Sequence, residues 1–169
     1  MTSSIQLDWK AATWAGVIAG LVFLMLEMIM VPVFGGRSPW GPPRMIAAIV
    51  LGEGVLPPPA TFAPGIVAVA MVLHFVLSIV YALTFALVIH RLGLGAALAL
   101  GATGGLILYL VNFYGFTALF PWFAMARNWI SIFAHIVFGL TVAGVYVPIR
   151  KHHVQEEAHG GASFRERKV

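Results

Sequence analysis

Four polar residues stand inside otherwise apolar runs of this chain: Glu27, His74, Asn112 and His135. Imidazole nitrogens and a carboxylate drawn from separate segments are the donor types of zinc and non-haem iron sites. Glu27, His74 and His135 therefore read as a candidate metal set, with Asn112 or water completing the shell. His74 and His135 alone also suit the two axial positions of haem b. Met71, one turn from His74, and Met28, beside Glu27, are thioethers of the kind copper takes, although packing is their commoner use. The same groups could instead relay protons or ions. They could also simply hydrogen-bond one another across helices, each contact contributing about 0.6–2 kcal/mol. Binding of a metal ion or haem, in a redox or metal-handling role, is the leading reading. No nucleophile elbow, H-E-x-x-H, P-loop or Rossmann glycine pattern occurs, so hydrolysis has no support and no reaction is named.

The elements that carry these residues follow from composition. The chain has 169 residues, 60% hydrophobic and 9% charged, with a mean hydropathy of +0.94. Soluble domains carry about 25% charged residues. This is the composition of an integral membrane protein. The absence of cysteine excludes disulfides, thiolate metal sites and cysteine nucleophiles. Apolar runs long enough to cross a bilayer cover 14–33, 66–89, 94–119 and 128–147. The expected fold is an all-α, four-helix transmembrane bundle in one domain, 1–150, followed by a polar, mobile tail, 151–169. The first run lacks a small-x-small cleavage site and is expected to remain as a helix.

Between the first two runs lies a Pro/Gly-rich connection, 34–64, that excludes a continuous helix. Within it, 44–56 is too short to span. An interfacial helix is expected there, with a lid over the bundle as the functional alternative. Four spans put both termini on one side. That side collects Lys10, Arg91, Arg150, Lys151, Arg165, Arg167 and Lys168, against Arg37, Arg44 and Arg127 opposite. The positive-inside rule then places both termini in the cytoplasm and the proline-rich loop outside. The net charge of +4 reads as orientation, not as nucleic-acid binding.

In this topology Glu27, His74, Asn112 and His135 all fall roughly 9–12 Å below the outer boundary, at about 1.5 Å per residue. Each helix contributes one strongly polar side chain to a single layer. The faces agree: Gly16, Gly20 and Glu27 share a stripe on the first helix, and Gly101, Gly105 and Asn112 on the third. Both glycine pairs are G-x-x-x-G, a packing signature of membrane helices. His74, Ser78 and Tyr81 share a face, as do Asn128, Ser131 and His135. The expectation is a packed inner half and a polar pocket in the outer half.

An acidic residue before a proline (Glu27, Pro32), H-x-x-x-S-I-V from His74 to Val80, a polar residue late in the third span (Asn112) and F-A-H-I-V-F from Phe133 to Phe138 together resemble the small YagU-like bacterial inner-membrane proteins. The resemblance covers the four spans but not the proline-rich loop or the tail. It implies a bacterial inner-membrane location. In that family a histidine can occupy the position of Asn112, so this chain would retain three strong ligands, not four. The expected partners are the lipid bilayer and either further copies of the chain or a larger respiratory or transport complex, in which it would be an accessory or assembly subunit.

Overall fold

The computed structural model describes residues 7–166, and every described element is helical. The chain forms α1 (Trp9–Gly35), α2 (Gly41–Leu51), α3 (Pro64–Ile89), α4 (Leu94–Leu110) and α5 (Trp129–Glu166), with short 3-10 turns between some of them. Four helices are long and apolar enough to cross a membrane, so this is an all-α, multi-pass bundle whose outward surface faces lipid. That surface carries exposed Leu21, Val72, Val76, Leu100 and Ile107, while alanines and glycines fill the seams.

The ends have local causes. The Asp8 carboxylate caps α1, accepting from the Ala11 amide at 2.9 Å. The chain leaves α1 through Gly36 at φ 61°, a conformation that glycine adopts without strain. Pro64 opens α3, where its missing N–H is no loss. Asn128 Oδ1 accepts from the Ile130 and Ser131 amides at 3.0 and 3.1 Å and starts α5. A turn from His90 to Gly93 joins α3 to α4, with the Leu92 amide bonded to the Ile89 carbonyl.

Two boundaries differ from the sequence expectation. The third span is not one regular helix to residue 119: α4 ends at Leu110, passes through a π-turn at Val111–Gly115 and finishes as a 3-10 turn at Phe116–Ala118. The wider turn carries Asn112, and π-turns in long helices often mark functional sites. The fourth span does not end at 147 before a loose tail. α5 runs through Pro148 to Glu166, a continuation that no local sequence signal announces. Contacts to the rest of the bundle hold these turns: Arg150 Nη2 donates to the Leu92 carbonyl at 3.1 Å, and His153 Nδ1 donates to Asp8 Oδ2 at 2.6 Å. Asp8 thereby caps α1 and ties α5 to it.

Helix order around the bundle follows from backbone approach. α1 packs against both α3 and α5, α4 lies along α5, and α3 and α4 barely touch although they are consecutive. Glycines set the tightest seams. A Cβ on Gly16 would stand 2.7 Å from the Ile79 Cα, and one on Gly20 2.7 Å from Ser78 Oγ. Between α4 and α5, a Cβ on Gly101 would stand 2.5 Å from the Gly139 carbonyl oxygen, and one on Gly105 would collide with the His135 carbonyl. The G-x-x-x-G pairs read from sequence thus lie at helix contacts. Their partner Gly139 had no such signal.

Candidate functional site

The α2 connection lies at one end of the bundle, and a cavity of about 330 Å³ opens beneath it. Its volume is at the lower end of the range for small-molecule sites. Glu27, His74, Asn112 and His135 all line it, one from each spanning helix. Phe23, Leu77, Phe113 and Phe138 supply much of the apolar wall. Pro42, Met45, Ile46 and Ile49 of α2 close it from above. α2, packed against α3, is therefore a roof on the cavity, whereas 50–56 does not line it. The roof is secured by the Trp122 indole N–H, which donates to the Met45 carbonyl at 3.0 Å. Arg44 braces the connection internally, donating to the Val55 carbonyl at 2.7 Å and to the Thr61 carbonyl at 3.1 and 3.0 Å.

The polar groups divide into two sets. Asn112 and His135 are committed to each other. His135 Nδ1 lies 2.7 Å from the Ser131 carbonyl, which only accepts, so Nδ1 carries the hydrogen. His135 Nε2 then accepts from the Asn112 amide nitrogen at 3.2 Å, and Asn112 Oδ1 accepts from the Tyr81 hydroxyl at 3.0 Å. Both ring nitrogens are occupied, and the chain Tyr81–Asn112–His135–Ser131 binds α3, α4 and α5 together. Sequence reading placed Tyr81 and Ser131 on the right faces but assigned them no part in this chain.

Glu27 and His74 are less committed. His74 Nε2 donates to the Gly20 carbonyl at 2.8 Å, so a neutral ring presents its lone pair at Nδ1. Gly20 thus serves twice: its missing side chain admits α3, and its carbonyl orients the imidazole. Glu27 is buried, 6% exposed, with the Ser131 hydroxyl beside it and the field of Arg37 reaching it. Its Oε1 has no hydrogen-bond partner. A buried carboxyl oxygen without a partner is costly, and such a group calls for an explanation. Ser78, also buried, lines the same wall.

The metal and haem expectations can be tested against this donor set. Among the described residues, no three His, Asp or Glu side chains form a group that could hold a metal ion. His135 has no free nitrogen, His74 uses Nε2 on a backbone carbonyl, and the Phe23 ring packs against both imidazoles, at centroid distances of 5.8 and 4.9 Å. The four residues share a cavity, but their lone pairs do not converge on one point. Phe23 gave no signal in the sequence, being one apolar residue in an apolar run. No family profile, no curated protein and no solved structure matches the chain.

Proposed function

We propose that the chain is a membrane-embedded binding protein for a small, mostly apolar molecule that carries a hydrogen-bond donor. The observation that carries this reading is the unpartnered Glu27 oxygen in the wall of an aromatic cavity. Glu27, His74 Nδ1 and the Ser78 hydroxyl offer acceptors, whereas Asn112 Oδ1 already accepts from Tyr81 and His135 Nε2 from Asn112. The complementary ligand is an alcohol, phenol or amine on a ring or short chain. This replaces metal or haem ligation as the better-supported use of the site.

Binding of 1-naphthol to the protein in lipid nanodiscs tests it. We expect saturable binding of 1-naphthol and at least tenfold weaker binding of 1-methoxynaphthalene, which lacks the donor. A hydrogen bond contributes about 0.5–1.5 kcal/mol, and leaving the buried acceptor unpaired penalises the methyl ether by about 1–3 kcal/mol. Glu27→Leu, which removes both carboxyl oxygens, should bring the two ligands to similar affinity. Equal affinities in the unaltered protein would refute the reading. If the chain binds neither compound but purifies with a stoichiometric membrane partner, an accessory-subunit role takes precedence.

The setting we propose is a bacterial inner membrane, as the resemblance to the YagU-like proteins implies, with both termini in the cytoplasm. The seven-to-three distribution of Lys and Arg across the two sides supports this orientation. A phosphatase reporter fused after Glu166 should be inactive and a cytoplasmic reporter active there. The reverse pattern would invert the bundle and put the cavity in the inner half of the membrane.

A further inference from the structure

α3 and α4 leave a gap whose inner end is closed by side chains. The Phe85 ring lies where a Cβ on Gly104 would stand 2.8 Å from it, and the Tyr81–Asn112 hydrogen bond crosses from α3 to α4. The two helices share few contacts along their whole length, the part beyond that bond included. There Leu73 and Leu77 on one side, and Leu108 and Phe116 on the other, line the cavity. Phe116 is 38% exposed. The axial route is obstructed instead, because α2 lines the cavity at that end and the Trp122 hydrogen bond fastens it.

We infer that the cavity is entered sideways from the bilayer, through the slot between α3 and α4, and that its ligand is an uncharged molecule dissolved in the adjoining leaflet. The ligand class rests on the binding role proposed above; the slot does not. An apolar ring carrying a hydroxyl partitions into the bilayer, passes between leucine and phenylalanine side chains and meets its acceptors only inside, at Ser78, His74 and Glu27. A charged molecule would have to leave water and cross hydrocarbon to reach the same slot, at a cost of several kcal/mol or more. The Tyr81–Asn112 bond forms the floor of the slot and sets how deep the ligand can go.

The chain has no cysteine, so single-cysteine variants report access directly. Ser78 on α3 and Ser131 on α5 are both buried and line the cavity. In nanodiscs, Ser78→Cys and Ser131→Cys should react with uncharged N-phenylmaleimide at least tenfold faster than with a sulfonated methanethiosulfonate, each rate taken relative to an exposed Val154→Cys control. Adding Leu77→Trp, which fills the slot, should slow the N-phenylmaleimide reaction at least tenfold. Trp122→Phe, which only loosens the roof, should leave it unchanged. Faster reaction with the sulfonated reagent, or acceleration by Trp122→Phe without slowing by Leu77→Trp, would mean entry from water through the roof. No reaction at either cysteine with either reagent would mean a closed cavity. Both results overturn the slot. If the slot result holds while 1-naphthol fails to bind, the lateral opening stands and the donor-bearing ligand does not.

Discussion

Gly105→Leu and Gly139→Leu each abolish the folded bundle. A Cβ on Gly105 collides with the His135 carbonyl, and one on Gly139 with the Gly101 carbonyl. These obstacles are backbone, so no rotamer change relieves them. Overpacking a core typically costs roughly 1–3 kcal/mol when side chains can shift. Here α4 and α5 must separate along the most extensive seam in the molecule, so the loss lies at or beyond the top of that range. Gly20→Leu acts similarly between α1 and α3, where Ser78 is in the way, and it also displaces the carbonyl that orients His74. Gly144→Leu is the control, because its nearest neighbour would be Leu98 Cδ2 at 3.9 Å, an ordinary contact. Thermal unfolding in mild detergent measures all four. Native stability in Gly105→Leu and Gly139→Leu together would mean that the helices do not meet at these glycines.

The features legible in the sequence are those that hydropathy and small-residue spacing encode. Span number and helical class follow from apolar length, because a bilayer leaves helices as the simple solution for such runs. Gly16, Gly20, Gly101 and Gly105 announce close approach because a side chain there would collide with the neighbouring helix. The shared cavity of Glu27, His74, Asn112 and His135 was accessible from equal depth alone. Other features have no local signature. The π-turn at Asn112 arises where α4 must turn Asn112 toward both Tyr81 and His135, a tertiary demand. Continuation of α5 past Pro148 depends on Leu92 and Asp8, far away in sequence. Depth fixes the layer in which a side chain lies, but not the direction of its lone pairs. For that reason a set of plausible metal ligands resolves into a satisfied pair, Asn112 with His135, and a less satisfied one, Glu27 with His74.

Asn112→Leu destabilises the protein by about 1–3 kcal/mol, because it leaves the buried His135 Nε2 without its donor and the Tyr81 hydroxyl without its acceptor. Tyr81 is only half-buried at the cavity wall, so its unpaired hydroxyl costs less than the buried His135 Nε2, and most of the loss falls on His135. Tyr81→Phe alone should therefore cost less than Asn112→Leu. Once Asn112 is gone, Tyr81→Phe should cost little more, since the bond it would break no longer exists. This non-additivity is the signature of connected groups, and a double-mutant cycle on unfolding free energies reads it. Strictly additive losses would show that Tyr81 and Asn112 act independently and that the slot has no hydrogen-bonded floor. The same samples separate the two uses of His135. With His135 held by Asn112 and Ser131, adding a chelator to the unaltered protein leaves its unfolding temperature unchanged. Were His135 a metal ligand, the chelator would lower that temperature, and His135→Ala would remove the chelator's effect. Asn112→Leu would then weaken the bound metal instead of merely unpairing a histidine.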